Sequence, residues 1–139
     1  MRKFKFNLEK ILQLRKFREE ECKLALGHAI SVLNAIENKI KETALKRHRA
    51  AIERFNDSKE MASWDIYILR LEQEAEKLAE KAAKAEIIVE EKRVLYLEAS
   101  RDLKALEKLK EKQQKEYRRE MLNTQMNEID DITAARRTG

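Results

Sequence analysis

Residues 64–117 read WDIYILRLEQEAEKLAEKAAKAEIIVEEKRVLYLEASRDLKALEKLKEKQQKEY, and this stretch decides the fold. Alternating steps of four and three residues from Trp64 to Tyr117 visit sixteen positions. All of them are apolar or aromatic except Lys92, Lys110 and Gln113. A repeat averaging 3.5 residues is typical of a helix whose apolar stripe faces a partner helix. The stretch therefore predicts one long helix with a coiled-coil seam, meaning the stripe of heptad a and d positions.

The composition favours long helices over a compact domain with many turns. Charged residues make up 41% of the 139 residues, proline is absent, and the only glycines are Gly27 and Gly139. Tight turns draw on glycine, proline, asparagine and aspartate. We therefore predict an all-α protein with few chain reversals.

The net charge of +5 is concentrated in the first part of the chain. Residues 1–60 carry 15 Lys and Arg against 9 Asp and Glu, whereas residues 61–139 carry 16 against 17. A basic start can steer a protein toward an acidic protein surface, an anionic membrane or nucleic acid. A solvated helix face accounts equally well for the same charges, so the charge alone does not identify a partner.

The first helix carries a second seam with the same four-three spacing. Its members are Cys22, Leu26, Ala29, Leu33, Ile36 and Ile40. If the same spacing continues, the next seam positions are Thr43, Arg47, Ala50 and Arg54, and three of these four residues are polar or charged. A shift of one residue reaches Ala44, His48, Ile52 and Phe55 instead. We therefore predict a stutter, an extra step of four, near Ala44–His48.

A single chain reversal is predicted between the two seams, where Asn56, Asp57 and Ser58 cluster. The predicted fold is a single-domain antiparallel coiled-coil hairpin in which residue i lies opposite roughly residue 120 − i. Helix 1 is expected at about 4–57, the turn at about 57–63, helix 2 at about 63–132 and a disordered tail at 134–139. Asn7 is the expected N-cap of helix 1, and Ser58 or Ser63 that of helix 2.

Helix 2 is longer than helix 1. In this register the residues of helix 2 beyond about Tyr117 have no residue of helix 1 opposite them. An apolar stripe continues beyond that point, and its members are Met121, Leu122, Met126, Ile129 and Ile132. We expect this segment to be frayed or to serve as a docking surface.

Residue patterns for catalysis or cofactor binding are missing from the sequence. There is no glycine-rich loop, no Cys/His ligand spacing and no Ser-His-Asp set, and the lone Cys22 allows no intrachain disulfide. A two-helix protein also offers no deep pocket for shifting carboxyl pKa values. We expect no enzymatic activity, no cofactor and no metal. The absence of a long apolar run and of a secretory signal predicts a cytosolic protein.

Several apolar side chains of helix 2 fall outside the predicted seam. With Ile68 at a and Leu71 at d, the outward f positions include Ile66, Ile87 and Val94. Leu69 and Leu97 then fall at b, and Tyr67 falls at g. A wider intrachain interface would absorb the g residues, but it explains the f and b residues poorly. We therefore predict that these residues form part of a partner-binding surface.

Four segments of the chain resemble the FliJ family of the bacterial flagellar type III export apparatus. FKFNLEKILQLRK at 4–16 resembles the family's opening, F-x-F-x-L-E-x-[VI]-L-x-L-R. IYILRL at 66–71 resembles its aromatic-apolar segment, and KALEKLKEK at 104–112 its K-x-L-E-K-L-K-E-K stretch. IDDI at 129–132 resembles its ending, although the family more often has Asp-Glu there. The segments occur in the family's order and spacing over nearly the whole chain.

The resemblance implies a set of partners. Family members are antiparallel two-helix coiled coils similar to the stalk of the F1-ATPase γ subunit. They insert into the ring of the export ATPase FliI, promote its assembly and activity, contact the cytoplasmic domain of the export gate FlhA and escort export chaperones. By this resemblance the gate contact carries over to Tyr67 and Leu71.

The resemblance also implies a place in the cell. It implies a protein that works in the cytoplasm, peripherally at the inner membrane, in flagellum biogenesis and hence in motility and chemotaxis. The two matched seams, by themselves, predict that the free protein is a monomer. We expect no nucleic-acid partner. Three alternatives stay open on the sequence: an injectisome stalk of the same fold, a generic coiled-coil adaptor, and a membrane or nucleic-acid binder that uses the basic start.

Overall fold

A computed structural model describes residues 3–138, which form two long helices joined by a short turn. Helix α1 spans Glu9–Asn56, a 3-10 turn spans Ser58–Glu60 and helix α2 spans Met61–Thr138. No strand occurs among residues 3–138. The two helices pack against each other, which confirms the predicted all-α helical hairpin.

Both helices contribute to each of two compact units. The first unit joins the chain up to Glu20 to the chain from Glu98 onward, and the second comprises Glu21–Leu97. In the first unit the core consists of Phe6, Leu12, Leu103 and Leu106, with Phe4 and Leu8 packed against it. In the second unit the buried apolar side chains are Ala29, Ala50, Leu71, Leu78, Ala85 and Val89.

The seam predicted for α2 is confirmed position by position. All sixteen residues of the four-three count from Trp64 to Tyr117 are buried or half-buried. Lys92, Lys110 and Gln113 are among the half-buried ones, because long side chains can cover apolar surface with their stems while their polar ends reach water.

Cross-helix contacts confirm the predicted register in each unit separately. In the first unit Lys110 Nζ lies 2.9 Å from Glu9 Oε2, and the Phe4 and Tyr117 ring centroids are 5.6 Å apart. In the second unit Arg47 Nη2 lies 2.9 Å from Glu72 Oε1. Each of these pairs lies within one residue of the relation in which residue i faces residue 120 − i.

The predicted stutter in α1 is wrong, because the seam continues at an unbroken 3.5-residue spacing. Thr43 and Ala50 are buried, whereas Ile52 is exposed and Phe55 is 84% exposed. The three polar residues of this unbroken seam, which made it an unfavourable core by sequence, all form hydrogen bonds or ion pairs. The Thr43 hydroxyl donates to the Lys39 carbonyl, Arg47 pairs with Glu72, and Arg54 pairs with Asp65. Arginine stems can cover a seam while their guanidinium groups reach its edge.

Helix α1 begins at Glu9 rather than near residue 4, and Asn7 is not its N-cap. Residues 3–6 are non-helical, and Asn7 and Leu8 form a turn in which the Glu9 N–H donates to the Phe6 carbonyl at 3.2 Å. Phe6 is buried against Leu12, Leu103 and Leu106. The non-helical approach places this ring in the core of the first unit.

Helix α2 begins and ends outside its predicted bounds. It starts at Met61, directly after the 3-10 turn, and neither candidate serine caps it, since the Ser63 hydroxyl donates to Glu60. It runs to Thr138, so residues 134–138 are helical and the predicted disordered tail is wrong for them; Gly139 lies outside the described residues. Alanine and arginine are strong helix formers, and Arg136 and Arg137 also complement the negative end of the helix dipole.

Candidate partner-binding surfaces

The structure exposes five of the six side chains that the sequence predicts to bind a partner. Tyr67 is 40% exposed, and the other four exposed side chains are those of Ile66, Leu69, Ile87 and Val94. Leu71 is 4% exposed, because it occupies a seam position of α2. A partner docking on this hairpin therefore cannot contact Leu71 extensively, and this residue serves instead to hold the helix that carries Tyr67.

Tyr67 lies in a shallow groove beside the turn. Its ring meets that of Trp64 edge to face, with centroids 6.0 Å apart. The groove is lined by Lys46, Arg49, Ala50, Glu53, Trp64 and Tyr67. Ala50 is 1% exposed, so this small side chain forms part of the packed floor. Aromatic side chains next to basic ones make a surface suited to anchoring a partner.

Two further exposed apolar residues near the turn, Ile52 and Phe55, are not among the predicted surface residues. The predicted stutter assigned both of them to the intrachain seam. The signal that identifies them is the unbroken count from Cys22, which places Ile52 at f and Phe55 at b. Apolar side chains at outward positions on both helices thus accompany Tyr67 at the turn.

In the first unit an ion pair and hydrogen bonds join the beginning of α1 to α2. Lys110 donates to the Glu9 carboxylate, and Gln13 donates to the same carboxylate at 3.0 Å. The hydrogen bond from Lys110, followed by that from Gln13, lowers the pKa of Glu9 below its ordinary value of 4.5. Arg15 adds a hydrogen bond of 2.9 Å to the Asp102 carbonyl.

Beyond Tyr117, α2 presents an apolar stripe to solvent. Met121 is half-buried and lines a groove with Phe4, Tyr117 and Leu122. The stripe continues with three exposed residues, Met126, Ile129 and Ile132. The segment is helical rather than frayed, so a docking surface is the alternative that stays a prediction.

No site for a metal and no membrane span is found within residues 3–138. None of the His, Cys, Asp and Glu side chains in this range form a group of three or more that could hold a metal ion. Neither α1 nor α2, over the same range, contains a stretch long and apolar enough to cross a membrane.

The chain was compared with known proteins in three ways. The family model described as "Flagellar FliJ protein" matches residues 4–138. Searches of the curated proteins and of the solved structures gave no significant match. The family match covers nearly the whole chain, and it includes the four segments whose resemblance the sequence itself displays. The chain therefore belongs to the FliJ family.

Proposed function

We propose that this protein is a coiled-coil component of the flagellar export apparatus that binds three kinds of partner. Family membership supports a role related to flagellar export. In the proposal the first unit engages the export ATPase ring and promotes its assembly and activity. The turn region of the second unit contacts the cytoplasmic domain of the export gate, and the chain also receives export chaperones. These contacts hold it peripherally at the cytoplasmic face of the inner membrane.

The exposed aromatic and aliphatic side chains near the turn carry the gate part of the proposal. Tyr67 is partly exposed although it adjoins the seam, and Ile66 and Leu69 on the same helix are exposed. Such residues do not stabilise a two-helix hairpin, whereas buried aromatic anchors dominate the energies of protein interfaces.

The apolar stripe at the end of α2 supports the ATPase part of the proposal. Leu122, Met126 and Ile129 follow one another at steps of four and three residues, which places them on one face of the helix. The face is exposed, and an amphipathic helix of this kind can dock in an apolar groove of a partner. If this helix binds the assembled ring more tightly than the separate ATPase subunits, its binding shifts the equilibrium toward the assembled ring.

A substitution at Tyr67 tests the gate contact. Tyr67→Ala should weaken binding to the gate's cytoplasmic domain at least tenfold, which is about 1.4 kcal/mol. Its thermal unfolding should change little, because the side chain is partly exposed. Leu24→Ala is the control, since Leu24 is an exposed apolar residue of α1 in the same unit and does not line the groove. Undiminished gate binding by the Tyr67 variant, measured by calorimetric titration, refutes the assignment.

A substitution in the terminal stripe tests the ATPase contact. Ile129→Asp should abolish stimulation of the ATPase while leaving the helical circular dichroism unchanged, because Ile129 is exposed. Tyr67→Ala should retain this stimulation. Full stimulation by the Ile129 variant, or equal losses in both variants, contradicts the division of roles between the two surfaces.

A further inference from the structure

The groove beside the turn combines unpaired cations with an aromatic wall. Lys46 and Arg49 line it on α1, and Trp64 and Tyr67 line it on α2. Both cations are exposed. The cross-helix ion pairs of the second unit, within residues 3–138, join Arg47 to Glu72 and Arg54 to Asp65, so neither includes Lys46 or Arg49.

The two pairs of basic residues on this stretch of α1 therefore differ in role. Arg47 and Arg54 occupy seam positions and are neutralised by carboxylates of α2. Lys46 and Arg49 add two positive charges to the groove, and Glu53 is the one carboxylate that lines it. The groove is thus left with an excess of positive charge. Charges that no intrachain partner neutralises are available to a partner of opposite charge.

We infer that this groove binds an acidic protein segment that carries an aliphatic or aromatic anchor. The anchor would pack on the Trp64–Tyr67 pair, over the buried Ala50. Carboxylates of the segment would accept hydrogen bonds from Arg49 and Lys46, because a guanidinium can hold a carboxylate through two parallel hydrogen bonds. Glu53 would disfavour acidic side chains at its own end of the groove and so fix the direction of the segment. The inference deepens the proposed gate contact and rests on it only for the identity of the protein that supplies the segment.

The test uses the full chain and three peptides labelled with fluorescein. The first probe is Glu-Glu-Leu-Phe-Glu-Glu, the second replaces its glutamates by lysine, and the third replaces Leu-Phe by Ala-Ala. The protein variants are Lys46→Glu/Arg49→Glu and the control Lys23→Glu/Lys41→Glu. The control makes the same change in net charge at two exposed lysines of α1 in the same unit, outside the groove lining.

Fluorescence anisotropy should show the acidic apolar probe binding at least tenfold tighter than either counterpart. Binding should weaken as sodium chloride is raised, since exposed charge pairs are screened by salt. The groove variant should lose the preference for the acidic probe, and the control variant should keep it. Failure of the acidic probe to bind, equal binding of the acidic and basic probes, or a preference that persists in the groove variant overturns the inference. So does binding of phosphatidylglycerol vesicles through Lys46 and Arg49 in place of the peptide.

A parallel titration with the gate's cytoplasmic domain separates this inference from the proposed function. A gate domain that binds the chain, depends on Tyr67 and is indifferent to Lys46→Glu/Arg49→Glu leaves the proposed function standing and overturns the inference. A gate domain that does not bind, together with a groove that selects the acidic probe, removes the proposed gate contact and supports the inference about the groove.

Discussion

Leu12→Ala should destabilise the protein far more than Leu14→Ala, two residues away on the same helix. Leu12 is 1% exposed and is packed among Phe6, Leu103 and Leu106, whereas Leu14 is 68% exposed. Leu→Ala removes three carbon atoms. At roughly 0.8 kcal/mol for each buried methylene-sized group, the lost transfer free energy is about 2.4 kcal/mol. The cavity left behind raises the expected loss to about 3 kcal/mol or more.

Urea denaturation followed by circular dichroism at 222 nm measures both variants. Leu12→Ala should move the urea transition to a clearly lower concentration, while Leu14→Ala should change the free energy of unfolding by no more than about 0.5 kcal/mol. The two variants lose the same atoms from the same helix, so helix propensity cancels between them. Equal destabilisation of the two variants would refute the assignment of Leu12 to the core.

Two further predictions concern the α1 seam and the Glu9–Lys110 pair. Ala50→Asp should cost about 3 kcal/mol, because it places an unpaired carboxylate at a position that is 1% exposed. Ala51 is adjacent and exposed, so Ala51→Asp should change the melting temperature little. A larger loss of stability in the Ala51 variant than in the Ala50 variant would contradict the unbroken seam. Since the Glu9 pKa is lowered from 4.5 in the folded chain, the contribution of Glu9 to stability is present above about pH 4.5 and is lost as the pH falls through the lower, folded pKa. Glu9→Gln should therefore flatten the fall in melting temperature as the pH drops below 4.5, and an unchanged pH profile would exclude this pair as a source of stability.

The fold was predictable because a 3.5-residue repeat leaves few alternatives once turn-forming residues are scarce. The sixteen seam positions of α2 were all identified from spacing alone, including polar members such as Lys92 and Gln113. The register followed from matching two independent seams about one reversal. Both results depend on periodicity, which a sequence displays directly.

The helix ends and the α1 seam were less predictable, because each depends on contacts made by the other helix. Arg47 and Arg54 look unsuited to a seam until Glu72 and Asp65 are placed opposite them. Asn7 is a good N-cap by residue type, yet the burial of Phe6 delays the start of α1 to Glu9. The candidate site was affected in the same way, since the assumed stutter hid Ile52 and Phe55 among core residues.

The outward f positions of α2 favour several separate contacts over one continuous helical partner. The apolar members are Ile66, Ile87, Val94, Leu122 and Ile129. A third helix packed along the whole of α2 would require apolar residues at nearly every such position. Instead, the polar f residues Gln73 and Glu80 lie between Ile66 and Ile87. Three more, Arg101, Lys108 and Lys115, lie between Val94 and Leu122. Polar intervals of this length divide the outward face of α2 into short apolar patches, which are too short to hold a long helix along its whole length.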